Sequence, residues 1–375
     1  MITRIYNFSA GPAVLPEPVL AEVQRDLMAL PGVGASILEI SHRSKAFDDI
    51  IKQAELNLRT LYAIPDDYAV LFLQSGARLV FSMIPMNLGK APSPNPLPKG
   101  EGSGSTFDFI LTGSWGKYAA QEAAKFGEVR TVWDGKATNY DRLPKQSDLK
   151  FDPKAAYAYY VSNETIQGVE FQTEPEVGSV PLVCDAASDF LSRPLDIKKY
   201  GILYACAQKN AGPAGVTVVI IRKDLLARSR DSLPGYLNFK IHADERSLWN
   251  TAPTFPIYVL MLVTKWMLTD IGGLDKMQQQ NRSKAKLLYD AIDASGGYYA
   301  GHAQADCRSV MNVTFRLPSD ELTEKFVKGA KEIGLSDLKG HRSVGGIRAS
   351  IYNAMPVAGV EKLREFMDEF RKQSG

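Results

Sequence analysis

The stretch ILYACAQKNAGPAGVTVVII, residues 202–221, holds two apolar runs joined by a loop of small residues with one lysine, Lys209. Branched and aromatic side chains fill both runs, so each predicts a β-strand. Asn210-Ala211-Gly212 predicts a turn between them. Lys209 therefore stands at a strand end among alanines and glycines, where burial is expected. Such neighbours leave room for a planar ligand to reach the amine. A desolvated lysine has a lowered pKa and becomes nucleophilic, and Schiff-base formation with an aldehyde cofactor uses such a group. Taken alone, Lys209 reads better as a surface lysine opening a turn.

Working outward, further strand-like runs lie at Tyr68–Leu73, 107–111, Tyr157–Val161 and 180–184, with helix candidates such as 117–126 between some of them. This alternation predicts an α/β fold with a largely parallel sheet covered by helices on both faces. Ligands in such sheets bind beyond the carboxyl ends of the strands, so functional residues should directly follow the apolar runs. Asp185 follows VPLVC, 24 residues before Lys209, a spacing that fits one crossover to a neighbouring strand. A carboxylate there can keep a pyridine nitrogen protonated; it also reads as a helix N-cap. In LFLQSGAR, residues 71–78, a strand runs into a helix start, and glycine lets a phosphate approach the amides. Trp115 follows FDFILTGS, where an aromatic ring can stack on a cofactor or simply pack. Thr165 follows YAYYVSNE and offers a hydroxyl at another strand end.

The chain has 375 residues, and 44 Lys and Arg stand against 42 Asp and Glu. So balanced a charge does not suggest a nucleic-acid or membrane-surface binder, and anion selectivity must come from local cations. Two of the four histidines adjoin arginine, as His42-Arg43 and His341-Arg342, with Arg348 six residues beyond Arg342. Adjacent His and Arg suit dianion recognition. Neither pair has metal-ligand spacing, so no metal site is expected. The cysteines, Cys184, Cys206 and Cys307, show no paired spacing, which favours a reducing compartment. Cys307 reads as the most exposed of them. The N-terminus lacks the continuous apolar region of a signal peptide. The apolar run 256–268 is shorter than the roughly 18 residues a membrane span needs, so a cytoplasmic protein is expected.

The segment 91–105 holds four prolines and three glycines and reads as a solvent-exposed insertion. After a helix near 256–270, the pattern predicts a polar helix over 274–294 and a half-buried strand over 310–316, with Met311, Val313 and Phe315 facing inward. A helix capped by Ser319, a strand near 347–352 and a helix over 357–372 follow. These form a smaller α+β domain.

Together the residues resemble the phosphoserine aminotransferases, pyridoxal-phosphate enzymes of fold type I, class V. The resemblance rests on YNFSAGPAVLP, EISHRSKAF, SGAR, TGSW, SNETIQGVE, CDAASDFLSRPLD, YACAQKNAGPAGVTVVIIRKDLL, NTAPTF and KGHRSVGGIRASIYNAMP, in this order from Tyr6 to Pro356. It implies a large domain over 16–270 with a mainly parallel seven-stranded sheet, and a small domain made of 1–15 and 271–375. It implies pyridoxal phosphate as cofactor. Lys209 would be the Schiff-base lysine and proton shuttle, Asp185 the partner of the pyridine nitrogen, and Trp115 the ring-stacking residue. Gly76, Ala77 and Gln208 would hold the phosphate region, and Thr165 would contact the cofactor. Asn250 and Thr251 would reach the phosphate from a second subunit, which implies a homodimer with shared active sites. Ser9 and Arg43 would hold L-glutamate. His42, Arg78, His341, Arg342 and Arg348 would bind the phosphate and carboxylate of 3-phosphohydroxypyruvate. Some relatives also serve vitamin B6 synthesis with 4-phosphohydroxy-L-threonine, and the residues leave both uses open.

Overall fold

The computed structural model describes residues 4–90 and 104–374. Its centre is a seven-stranded sheet in the spatial order Tyr68–Leu73, Thr217–Arg222, Ile202–Cys206, Leu182–Asp185, Tyr157–Val161, Thr106–Leu111, Glu128–Asp134. Thr217–Arg222 runs antiparallel to both its neighbours, and the other pairs are parallel. The central strands are buried on both faces, and their side chains divide with a period of two. Val70, Phe72, Leu203, Ala205, Val218 and Ile220 join one core. Leu71, Leu73, Ile202, Tyr204, Val219 and Ile221 join the other.

The first core packs under the helix Lys45–Tyr62 and the helix Thr254–Trp266. Ser44 caps the former by accepting from the Phe47 amide, and Ala63 ends it in the left-handed region at φ 48°. The second core lies under the helices Ala77–Leu88 and Ser114–Ala123. The strand Glu128–Asp134 was not legible as a run: it is the sheet edge, only partly buried, and carries charges along its length.

The apolar run expected to be short continues as a π-turn over Met267–Ile271. Helix and turn together give 18 residues of mean hydropathy 1.2, the one helix among the described residues long and apolar enough to cross a membrane. It is instead packed against Lys45–Tyr62: Ile257, Leu260 and Val263 are fully buried, and Asn57 donates to Thr264 Oγ1 at 3.1 Å.

A third core gathers Phe8 with residues of the C-terminal third, including Val313, Phe315, Phe326, Ile347 and Leu363. Tyr6–Asn7 pairs with Leu335–Ser336, which ties the N-terminal stretch to this part. The helix Leu274–Asp293 starts in the first core through Leu274 and Met277 and ends in the third through Leu288 and Ile292. Asn312–Arg316 lies between Ala300–Gly301 and Ile347–Ser350 in an antiparallel sheet. Its polar face is not solvated as the alternation predicted. Asn312 and Thr314 are buried, because Asn163 donates to Asn312 Oδ1 at 2.8 Å and Thr314 donates to the Gln167 carbonyl at 2.9 Å. Gly168, at φ +70°, permits that approach, since a methyl there would meet the Asn312 carbonyl at 2.6 Å.

Most of the segment 91–105 lies outside the described residues. Ser105 itself is buried rather than exposed: its hydroxyl accepts from the Lys90 amide at 2.7 Å and its carbonyl from the Glu128 amide at 2.9 Å.

Candidate active site

Four strand ends converge on Lys209. It follows Ile202–Cys206, whose register places Tyr204 opposite Asp185 on the adjacent parallel strand. The spacing of 24 residues thus spans one crossover between neighbours. Lys209 Nζ donates to Thr165 Oγ1 at 2.7 Å and lies 5.5 Å from the centroid of the Trp115 ring. Lys209 is half-buried rather than buried. The N-terminal stretch crosses it: a methyl on Gly11 would touch Lys209 Cγ at 3.4 Å, and the Ala13 amide donates to the Gln208 carbonyl.

Around the amine opens a cavity of about 640 Å³. Gly76, Ala77, Arg78, Trp115, Thr165, Asp185, Gln208, Lys209, His341, Arg342 and Arg348 all line it. Gly76 begins the helix Ala77–Leu88 with no side-chain cap, so the positive end of that helix faces the cavity. Trp115 Nε1, and Ser75 Oγ one residue before Gly76, are buried without a hydrogen-bond partner among the described residues. Ser9 does not line the cavity, though its neighbours Ala10 and Gly11 do.

His42, Arg43, Asn250 and Thr251 are not brought to this cavity. Arg43 lines a separate shallow cleft of about 460 Å³ with Arg246, Leu248 and Trp249. Asn250, one residue beyond Trp249, donates to Gln74 Oε1 at 3.3 Å. His42 Nε2 is buried without a partner among the described residues.

The charges divide by depth. Asp185 is buried, and desolvation raises its carboxyl, although the Ala187 amide donates to Oδ1 at 2.9 Å and Lys209 favours the anion. Glu164, unremarked by sequence reasoning, is fully buried, and desolvation pushes it up to about 7 against the pull of the Gly116 and Trp115 amides. Its only sequence signal was its place beside Thr165. The cations sit higher. Burial lowers Arg348, and burial with the nearby Arg348 and Arg342 lowers His341. Arg193 and Arg222 are tied to Glu174 and Asp224. Among the described residues, Arg342 and Arg348 have no such carboxylate partner, and Arg78 has no close ion pair but helps hold the Glu122 carboxyl down. Arg78 instead lies 4.7 Å from the Tyr118 ring centroid.

Cys307 is not the exposed thiol that its loop suggested. It is 1% exposed, and burial pushes it up to about 12. Among the described residues no cluster of His, Cys, Asp and Glu is arranged to hold a metal ion.

Comparison with known proteins adds four findings. Residues 5–363 match the family model Aminotransferase class-V. A phosphoserine aminotransferase of Rhodopirellula baltica is 58% identical over 99% of this chain and 96% of its own length. Phosphoserine aminotransferase from Bacillus circulans subsp. alkalophilus superposes with a TM-score of 0.94 at 46% identity, covering 99% of each chain. The pyridoxal-phosphate-bound phosphoserine aminotransferase of Trichomonas vaginalis gives 0.89 at 38% identity, over 97% of this chain and all of the other.

Proposed function

The chain belongs to the class-V aminotransferase family and is a pyridoxal-phosphate-dependent aminotransferase, and from that premise we propose that it transfers the amino group of L-glutamate to 3-phosphohydroxypyruvate. The products are 2-oxoglutarate and O-phospho-L-serine, by a reversible ping-pong scheme within serine biosynthesis in the cytoplasm. The observation that carries the substrate reading is the set of cations, Arg78, Arg342 and Arg348, around the same cavity as Lys209, of which Arg342 and Arg348 have no carboxylate partner among the described residues. Both substrates are multiply anionic, and unpaired guanidinium forks match carboxylate and phosphate.

The donor set fits the cofactor. A lysine amine, a buried strand-end carboxylate, an indole face and a helix start without a side-chain cap all open on one cavity. When bound, pyridoxal phosphate supplies an aldehyde carbon that accepts the amino group and a pyridinium ring that draws off the electron pair released at the substrate Cα. Lys209 would hold the aldehyde carbon and move the proton at Cα, with the Thr165 hydroxyl orienting its amine. Asp185 would keep a negative charge beside the ring nitrogen, and Trp115 would cover one ring face and exclude water. Gly76, Ala77 and Gln208 would hold the phosphate. Ser9 would help hold L-glutamate. Arg78, His341, Arg342 and Arg348 would bind the anionic groups of the substrates.

His42, Arg43, Asn250 and Thr251 fall outside the cavity of their own chain, in or beside the Trp249 cleft. That position supports a homodimer in which this surface completes the cavity of a second copy. Mixing Lys209→Ala with Arg43→Ala subunits should restore part of the activity that each variant lacks alone. No restoration would count against shared sites.

The reaction is tested in halves. Holoenzyme is incubated with L-glutamate alone, freed of small molecules, then given 3-phosphohydroxypyruvate. About one O-phospho-L-serine per site is expected. Product that forms only when both substrates are present together overturns the scheme.

A further inference from the structure

Glu164 has no part in the chemistry above, yet it occupies a costly position. It is fully buried, and its neighbours include the carboxylate Asp185 as well as the Lys209 amine. Its Oε2 accepts from the Trp115 amide at 3.0 Å and its Oε1 from the Gly116 amide at 2.9 Å. These amides belong to the first turn of the helix Ser114–Ala123, whose cap residue, Gly113, offers no side chain. Gln167 extends the grip: its Nε2 donates to Ser114 Oγ at 3.0 Å and its Oε1 accepts from the Ser114 amide at 3.4 Å. A methyl on Gly113 would overlap the carboxyl carbon of Glu164 and lie 2.6 Å from Gln167 Oε1, so only glycine admits this clamp.

The clamp joins two parts of the site. Glu164 ends the short strand Asn163–Glu164, and Thr165, which accepts from Lys209, is the next residue. Trp115 lies in the first turn of the clamped helix, and its indole Nε1 has no hydrogen-bond partner among the described residues. The ring therefore takes its orientation from its backbone and from contact with Tyr118 at 5.8 Å and Arg78 at 5.9 Å. A neutral serine or asparagine on the helix itself would cap this turn as well, without burying a charge. A carboxylate reaching across from the Thr165 hairpin does something a local cap does not: it fixes the indole relative to the lysine.

We propose that Glu164 is a positioning residue for the cofactor, holding the Trp115 ring plane in register with Lys209 and Thr165 through the Trp115 and Gly116 amides. The proposal rests on the reading of Trp115 as the residue that covers the cofactor ring. Glutamine keeps one acceptor oxygen for these amides, so Glu164→Gln removes one charge-assisted bond, which corresponds to about tenfold in affinity.

The test is a double-mutant cycle on pyridoxal phosphate binding. Cofactor-free wild type, Glu164→Gln, Trp115→Phe and the double variant are titrated by equilibrium dialysis. The emission anisotropy of the cofactor-free proteins is compared alongside. Glu164→Gln should weaken binding about tenfold and lower the anisotropy contributed by Trp115. The double variant should bind no worse than Trp115→Phe alone, because Glu164 acts through the indole. Unchanged affinity in Glu164→Gln overturns the proposal, and so do losses that multiply in the double variant. Wild-type affinity in Trp115→Phe overturns the underlying reading of the indole instead. If Glu164→Gln does not fold, Glu164→Asp takes its place in the cycle, with a smaller loss expected and the same criterion of non-additivity.

Discussion

The floor and the rim of the cavity are built on opposite principles. At the floor, Asp185 lines the cavity and Glu164 is buried beside it without lining it, and both are carboxylates whose oxygens accept main-chain amides. At the rim, Arg342 and Arg348 are cations without carboxylate partners among the described residues, and Arg78 lines the same cavity. The floor is satisfied internally and costs stability through desolvation. The rim lacks carboxylate partners, and burial already disfavours the charges of Arg348 and His341, a cost that a bound anion would offset. A floor of this kind fixes one rigid group in one orientation. A rim of this kind recognises anions that come and go.

The contrast is sharpest at Lys209, which belongs to the floor by position but is half-buried. Lys209→Ala should lower turnover by about a thousandfold or more, since it removes the proton carrier. Its thermal midpoint should move by no more than about 2 °C, because this half-buried side chain faces the cavity and contributes little to the core. Retained turnover would break the account.

A rim cation should behave differently. Arg348→Ala should raise KM for 3-phosphohydroxypyruvate by about 10- to 100-fold, the worth of a hydrogen bond to a charged group. KM for an uncharged-tail keto acid should change far less. Equal losses for both would make Arg348 part of the floor. Thr165→Val removes only the acceptor of the Lys209 amine and should cost about tenfold in turnover, with KM little changed.

A further effect concerns stability. Glu164 ionises at about 7 in the folded chain, against an ordinary 4.5. The folded state therefore binds this proton more tightly than the unfolded state. The cost of burying the charge is absent below about 4.5 and fully felt above about 7. The difference amounts to about 3 kcal/mol. Cofactor-free wild type should lose thermal stability relative to Glu164→Gln as pH rises from 5 to 8. Parallel curves for the two proteins would mean that the floor carries no such cost.

The sequence was most informative where side chains are apolar on both faces. Tyr68–Leu73, Tyr157–Val161 and Ile202–Cys206 stand out because the central sheet is buried from both sides. Residues that directly follow those runs, Lys209 among them, line the cavity as the strand-end argument expects. Glu128–Asp134 escaped because an edge strand need not be apolar. The polar face of Asn312–Arg316 was misread because its partners, Asn163 and Gln167, lie some 150 residues away in sequence. Glu164 escaped for a related reason: a glutamate in a loop ordinarily means a solvated residue. Only the fold shows that the amides of Trp115 and Gly116 surround it. The same holds for Lys284, a lysine in a polar helix. Burial lowers its amine to about 7, while its Nζ donates to the carbonyls of Ile351, Tyr352, Asn353 and Met355.

The central claim is that Lys209 is the amine that holds the cofactor. Borohydride reduction of the purified holoenzyme, followed by peptide mass spectrometry, tests it directly. The account predicts a stable pyridoxyl adduct on the peptide containing Lys209 and on no other lysine. An adduct confined to another residue, Lys284 included, or no adduct in protein saturated with pyridoxal phosphate, would contradict it.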